Sequence, residues 1–181
     1  MELVKPAATL LIMSAIAVFL IGVVYDITRE PVRIQQYIRR NAMIADLLPG
    51  TERSETEYIH DNPNVSQLVS GYDAAGNHIG YAVVAQAPGY AGAVVIMTGF
   101  NNYGTLTGVR IMNHRETPGL GTAIEHMRFL EQFENRTDTM SVVRMATADD
   151  EIQALASATI STVAVVDGIN AAMDFIRGYL N

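Results

Sequence analysis

The sequence predicts an α+β domain carried behind one membrane-spanning helix. Three observations predict it: an uncharged apolar run near the start, two adjacent strand hairpins in the middle, and an amphipathic helical pattern at the end. The chain has 181 residues, enough for one domain of ordinary size plus a short appendage.

The apolar run, AATLLIMSAIAVFLIGVVY at residues 7–25, holds nineteen residues without a charge. At about 1.5 Å per residue, a helix of this length spans roughly the hydrocarbon core of a bilayer. A cleaved signal peptide is the competing reading. The run is longer than an ordinary signal core, and its Ala-x-Ala, at Ala15 and Ala17, lies inside it rather than after it. The leading five residues hold one base and one acid, a poor signal start. These features favour an uncleaved anchor, and the lack of a polar face disfavours a buried core helix. The expected division is an anchor over residues 1–30 and a domain over residues 31–181. Lys5 flanks one side of the run, whereas Arg29, Arg33, Arg39 and Arg40 follow on the other. Taken alone, this positive-inside count puts the domain in the cytoplasm.

Beyond the anchor, Ile34, Ile38, Ala42, Ala45 and Leu48 recur at helical spacing. Residues 31–48 therefore read as a second helix, with Pro31 in its first turn and Pro49-Gly50 as its stop. The polar stretch 51–64 reads as a loop with one short strand near Tyr58. Residues 65–72 and 78–87 read as strands around the turn-rich DAAGN, and residues 93–100 and 105–113 as strands around NNYG. Adjacent hairpins imply an antiparallel sheet. A helix is expected after residue 121, with Ile124, Met127, Leu130 and Phe133 on one face, and one more strand at 140–145. The closing helix is expected from about Ser161 to Leu180, where Val163, Val166, Ile169, Met173, Ile176 and Leu180 make an apolar stripe.

Composition narrows the function. Twelve basic and 19 acidic residues leave a net charge of −7, and Lys5 is the single lysine, which argues against a nucleic-acid partner. The absence of cysteine excludes disulfides, thiolate metal sites, bound iron–sulfur clusters and a cysteine nucleophile. His60, His78, His114 and His126 show no metal-ligand spacing. There is no serine elbow, P-loop or dinucleotide fingerprint, so neither a catalytic residue nor a metal ligand is assigned. The run Asp149-Asp150-Glu151 reads as a solvated acidic stretch.

Two segments carry unusual local chemistry. In HRETPGLG, residues 114–121, Gly119 and Gly121 let the backbone approach a flat ligand, beside Glu116 as acceptor and Thr117 as donor. The bland alternative is an ordinary strand-to-helix loop with a capping threonine. In ASATIST, residues 156–162, four hydroxyls directly precede the last helix. They suit either a simple N-cap or an anion site, where free N–H groups and the helix dipole favour a phosphate.

Taken together, these segments resemble the FMN-binding domain family, and within it the G subunit of the Rnf membrane ferredoxin:NAD oxidoreductase. The chain is also similar to the C subunit of the sodium-pumping NADH:quinone oxidoreductase. HRETPGLG is an unbroken match to the family's middle motif, and Ala158-Thr159 with Ile160-Ser161-Thr162 matches its last one. Ala156 and Ser157 stand where the family has Ser-Gly, and Gln153 stands where an acidic residue is expected. The resemblance implies an electron-transfer role on FMN, joined through its phosphate to the Thr159 hydroxyl as a phosphoester. Ser157, Ala158, Ile160 and Ser161 would complete that segment. It further implies a flavin ring near the middle loop, with Glu116 and Thr117 at its polar edge, Gly119 and Gly121 offering backbone contact, and Leu120 over its dimethylbenzene edge. Tyr90, in the turn 89–92, would close one side. Partners implied are the bilayer and other Rnf subunits, including a second flavin subunit and cluster-bearing membrane subunits. The family's single-pass arrangement places the domain outside the cytoplasm, against the arginine count; burial or pairing of Arg33, Arg39 and Arg40 would blunt that count. The alternative from a different class is a membrane-anchored structural or ligand-binding module of the same fold without covalent flavin.

Overall fold

The apolar run and the helix expected after it form one continuous helix, α1 (Val4–Leu47), in a computed structural model that describes residues 4–148 and 150–180. Met1 and Asp149, used in the leading-segment and acidic-run readings, lie outside the described residues. Pro31 sits in the interior of α1 rather than in a first turn. A proline there removes one backbone hydrogen bond but does not end a helix whose apolar spacing continues on both sides. Just before it, the Thr28 hydroxyl donates to the Val24 carbonyl at 2.6 Å. The helix contains a stretch of mean hydropathy 2.6 with none of it buried, long and apolar enough to cross a membrane. Arg33 and Arg39 are exposed along α1 and Arg40 is half-buried, so burial does not mask the first two.

The chain divides into two compact units, Met1–Asn41 and Ala42–Asn181. The boundary expected after residue 30 falls inside α1.

In the second unit, five strands form an antiparallel meander in chain order: β1 (Arg53–Tyr58), β2 (Val65–Tyr72), β3 (His78–Pro88), β4 (Ala93–Asn101) and β5 (Leu106–Asn113). Alternation sends Leu68, Val83, Ile96 and Phe100 to one face and Val69, Ala82, Val84 and Met97 to the other. Both faces are covered, which is why β3 and β4 are buried almost continuously. The first face packs under α3 (Thr159–Leu180), which buries Val165, Ile169, Ala172, Met173 and Ile176. Although α3 is also apolar, 56% of its most apolar stretch is buried, which marks it as a core helix.

The second face receives the last turn of α1 through Ile44, Leu47 and Leu48. Glycines make room for it. Gly71 pairs with Gly80 and Gly99 with Gly108 across neighbouring strands. A Cβ on Gly99 would lie 2.8 Å from the Leu47 Cβ, and one on Gly71 3.0 Å from the Leu48 Cδ1. The Thr107 hydroxyl donates to the Leu47 carbonyl at 2.7 Å, satisfying one of the helix's terminal acceptors. Arg110 Nε reaches the Asp46 carboxylate at 2.7 Å.

The segment after residue 121 departs from the expected single helix. It is a 3-10 turn (Gly121–Glu125), one turn of α-helix, α2 (Met127–Leu130), and a second 3-10 turn (Glu131–Phe133). His126 breaks the run with an extended backbone, φ −69° and ψ 131°. Ile124, Leu130 and Phe133 still reach the core, but Met127 is half exposed. The strand expected near residues 140–145 is β6 (Ser141–Val143), paired in parallel with β7 (Glu151–Gln153). The closing helix starts at Thr159, two residues before its expected start, because the Ala158 carbonyl already accepts the Thr162 N–H at 2.9 Å.

Candidate functional site

Three chain segments converge around the N-terminus of α3. The first is the turn 89–92 between β3 and β4, closed by the Gly89 N–H donating to the Gly92 carbonyl at 2.8 Å. The second is the loop 114–121 that leaves β5, where Gly119 adopts φ +78° and donates its N–H to the Thr122 hydroxyl at 3.0 Å. The third is residues 157–161. Between them lies a cavity of about 630 Å³. Its lining consists of Tyr90, Glu116, Thr117, Leu120, Gly121, Ser157, Ala158, Thr159, Ile160 and Ser161. The fold therefore brings together every site residue read from the sequence except Gly119, which shapes the loop without lining the cavity.

The helix start is built for a polar visitor. Ala158 caps α3 by accepting from the Thr162 N–H and, at 3.0 Å, from the Thr162 hydroxyl. The same hydroxyl accepts from the Leu155 N–H at 3.1 Å, which ties the approaching loop to the helix. The N–H groups of Thr159, Ile160 and Ser161 belong to the first turn, where no carbonyl stands one turn earlier. The dipole of a 22-residue helix adds partial positive charge there. Thr159 is exposed. Tyr90, Leu120 and Ile160 add large, exposed apolar surfaces to the same cavity lining. Ser157 holds φ +66°, the left-handed region that favours glycine.

Glu116 is the surprise of the site. It is only 5% exposed, and both carboxylate oxygens are engaged within the protein. One accepts the Ala91 N–H at 3.2 Å and the other accepts the Ser161 hydroxyl in a short bond. Behind it, the Glu116 N–H donates to His114 Nδ1 at 3.1 Å, and His114 Nε2 faces the Glu125 carboxylate at 3.2 Å. Sequence reading marked Glu116 and Ser161 separately but missed their bond, which spans 45 residues. It named the turn 89–92 but not the close approach of Gly89 to Glu116, where a Cβ would lie 2.5 Å from the Glu116 Oε1. No group of three or more metal-ligating side chains occurs among the described residues.

The residues present fit a flavin mononucleotide. The cavity falls within the roughly 300–1,000 Å³ usual for a small-molecule site. Its apolar lining suits a tricyclic ring, and the hydroxyl and free N–H groups at the helix head suit a phosphate. The model of the family described as "FMN-binding domain" matches residues 89–174, which contain the first two of the three segments around the cavity and residues 157–161. The chain is similar to G subunits of ion-translocating oxidoreductase complexes. It is 29% identical over 180 residues to the G subunit of the ion-translocating oxidoreductase complex of Methanosarcina acetivorans, covering 97% of this chain and 95% of that one. It is 36% identical over 100 residues to the G subunit of the Na(+)-translocating ferredoxin:NAD(+) oxidoreductase complex of Acetobacterium woodii, covering 52% of this chain and 48% of that one. Among solved structures, the C subunit of the Na(+)-translocating NADH-quinone reductase from Parabacteroides distasonis shares the fold. Its TM-score is 0.52 at 16% identity, over 69% of this chain and 77% of that chain. NqrC of Shewanella oneidensis is similar in fold, with a TM-score of 0.50 at 18% identity over 64% of each chain.

Proposed function

We propose that this protein is an electron-transfer subunit of a membrane ion-translocating ferredoxin:NAD oxidoreductase, with FMN joined through its phosphate to the Thr159 hydroxyl. The observation that carries the reading is an exposed threonine at the head of α3, in a cavity whose lining is largely apolar. The likeness to G subunits of such complexes and the FMN-binding domain support it. When bound, the flavin supplies reversible electron transfer between neighbouring redox centres.

The chain's own residues bind, orient and shield. The first-turn N–H groups of α3 stabilise the single negative charge of a phosphodiester. Thr117, exposed at the cavity, would offer a hydrogen bond to the flavin, and Leu120, Tyr90 and Ile160 would shield it from water. Gly121 leaves the backbone bare for close approach. The open mouth leaves an edge accessible to a partner's redox centre. α1 spans the bilayer once, the domain lies outside the cytoplasm, and other membrane subunits, among them a second flavin subunit and cluster-bearing ones, are its neighbours.

A denaturing gel tests the linkage. The parent chain is expected to retain flavin fluorescence after denaturation, and Thr159→Ala to lose it entirely while keeping its circular dichroism spectrum. Flavin found by mass spectrometry on a peptide lacking Thr159 would overturn the assignment. A chain with no fluorescent band would favour the module without covalent flavin. Protease added to intact cells tests the orientation: the domain is expected to be cleaved, and full protection would place it in the cytoplasm.

A further inference from the structure

The cavity lining contains a buried carboxylate whose two oxygens are both engaged by protein donors. Glu116 is nearly inaccessible, and burying such a group is costly unless its hydrogen bonds are met. Both are met, by the Ala91 N–H and the Ser161 hydroxyl. The space around it is cut to fit. A Cβ on Gly89 would lie 2.5 Å from Glu116 Oε1, and a Cβ on Gly121 2.6 Å from Glu116 Cβ. Glu116 thus ties the turn 89–92 and its own loop to the first turn of α3.

We propose that Glu116 is a positioning residue: through Ser161 it holds the first turn of α3 in the setting that presents Thr159 for attachment. Thr159 and Ser161 are the first and third residues of the helix, so their side chains leave it roughly 200° apart. Ser161 is buried and Thr159 exposed, as that angle requires. A hydrogen bond fixed to the inner side chain sets the rotation of the turn about its axis and hence the direction of the outer one. An apolar residue in place of Glu116 can fill space, but it holds no direction. That role presupposes Thr159 as the acceptor.

Two measurements on the full-length chain test it. First, covalent flavin per chain is compared in cells that flavinylate the parent. Ser161→Ala and Glu116→Ala are expected to lose attachment by about tenfold or more, since small misplacements of a reacting group are costly. Glu116→Gln is expected to recover most of it relative to Glu116→Ala. Its amide oxygen still accepts from Ala91, and its amide N–H donates to Ser161. Second, amide hydrogen exchange is read in a Thr159→Ala background, where no flavin is attached. Glu116→Ala is expected to speed exchange at Ala91 and at Thr162, the first hydrogen-bonded amide of α3, by about tenfold, the equivalent of one lost hydrogen bond. The C-terminal half of α3 is expected to be unchanged, and Glu116→Gln to restore protection. Full attachment in both alanine variants overturns this inference alone, as does exchange that stays at the parental rate. A parent chain without covalent flavin overturns the assignment of Thr159 and this inference with it.

Discussion

At the scale of single residues, Ser157 carries a conformational load that its side chain does not favour. With φ +66° it occupies the left-handed region, which costs a residue with a Cβ roughly 1–2 kcal/mol. Replacing it with glycine removes that cost and returns part of it as chain entropy. Ser157→Gly is therefore expected to stabilise the domain by about 1 kcal/mol and to raise Tm by roughly 2–4 °C. A lower Tm in calorimetry would show that the serine offsets its backbone by a contact of its own. Glu151 gives a pH signature. Its carboxylate accepts the Thr147 N–H, the Thr147 hydroxyl and the Ala148 N–H, closing the loop before β7. Those bonds, the Thr147 N–H first, hold its pKa below the ordinary 4.5. A depressed folded pKa means a contribution that is complete above the unfolded value and lost as pH falls through the folded one. The stability gap between parent and Glu151→Gln is thus expected to be constant above pH 4.5 and to close on further acidification. A gap that persists in strong acid would place the effect elsewhere.

At the scale of elements, the two hairpins of the meander were legible because their apolar runs are bounded by turns that announce themselves, DAAGN and NNYG above all. The segment after residue 121 was not. Its apolar residues sit at helical spacing, yet His126 takes an extended backbone while Ile124, Leu130 and Phe133 enter the core. Three residues of β7 carry no periodicity to read. In the site, glycines and hydroxyls betrayed the two segments by composition, whereas the Glu116–Ser161 bond exists only once strands and helix have closed around it. The seat of α1's last turn is a similar case. Gly99, read from the sequence only as one residue of a strand, is the floor on which Leu47 rests. Gly99→Ala would push a Cβ to 2.5 Å from the Thr107 hydroxyl and 2.8 Å from the Leu47 Cβ. It is expected to cost about 1–3 kcal/mol by denaturant titration, as overpacking does. A neutral result would show that the helix end can slide on the sheet.

At the scale of the whole molecule, both hydrophobic clusters lie within Ala42–Asn181. A chain starting at Ala42 is expected to stay soluble without detergent and to melt in one cooperative transition. A chain starting at Pro49 loses Ile44, Leu47 and Leu48 and uncovers Val69, Val84 and Met97. It is expected to aggregate or melt far lower, because each large buried side chain removed costs about 2–5 kcal/mol. Equal melting of the two would mean that the second face needs no cover. The strand order has a further consequence. Every strand of the five-stranded sheet pairs with its neighbour in the chain, and all seven strands among the described residues precede α3. A ribosome therefore lays down the whole platform before it reaches the helix that crowns it, and pairings between near neighbours form quickly. The Thr159 hydroxyl, the acceptor proposed above, is delivered late, onto ground already prepared. Under the proposed attachment at Thr159, a fragment stalled upstream of that residue has nowhere to take a pigment, and yellow colour would count only molecules whose synthesis passed that point.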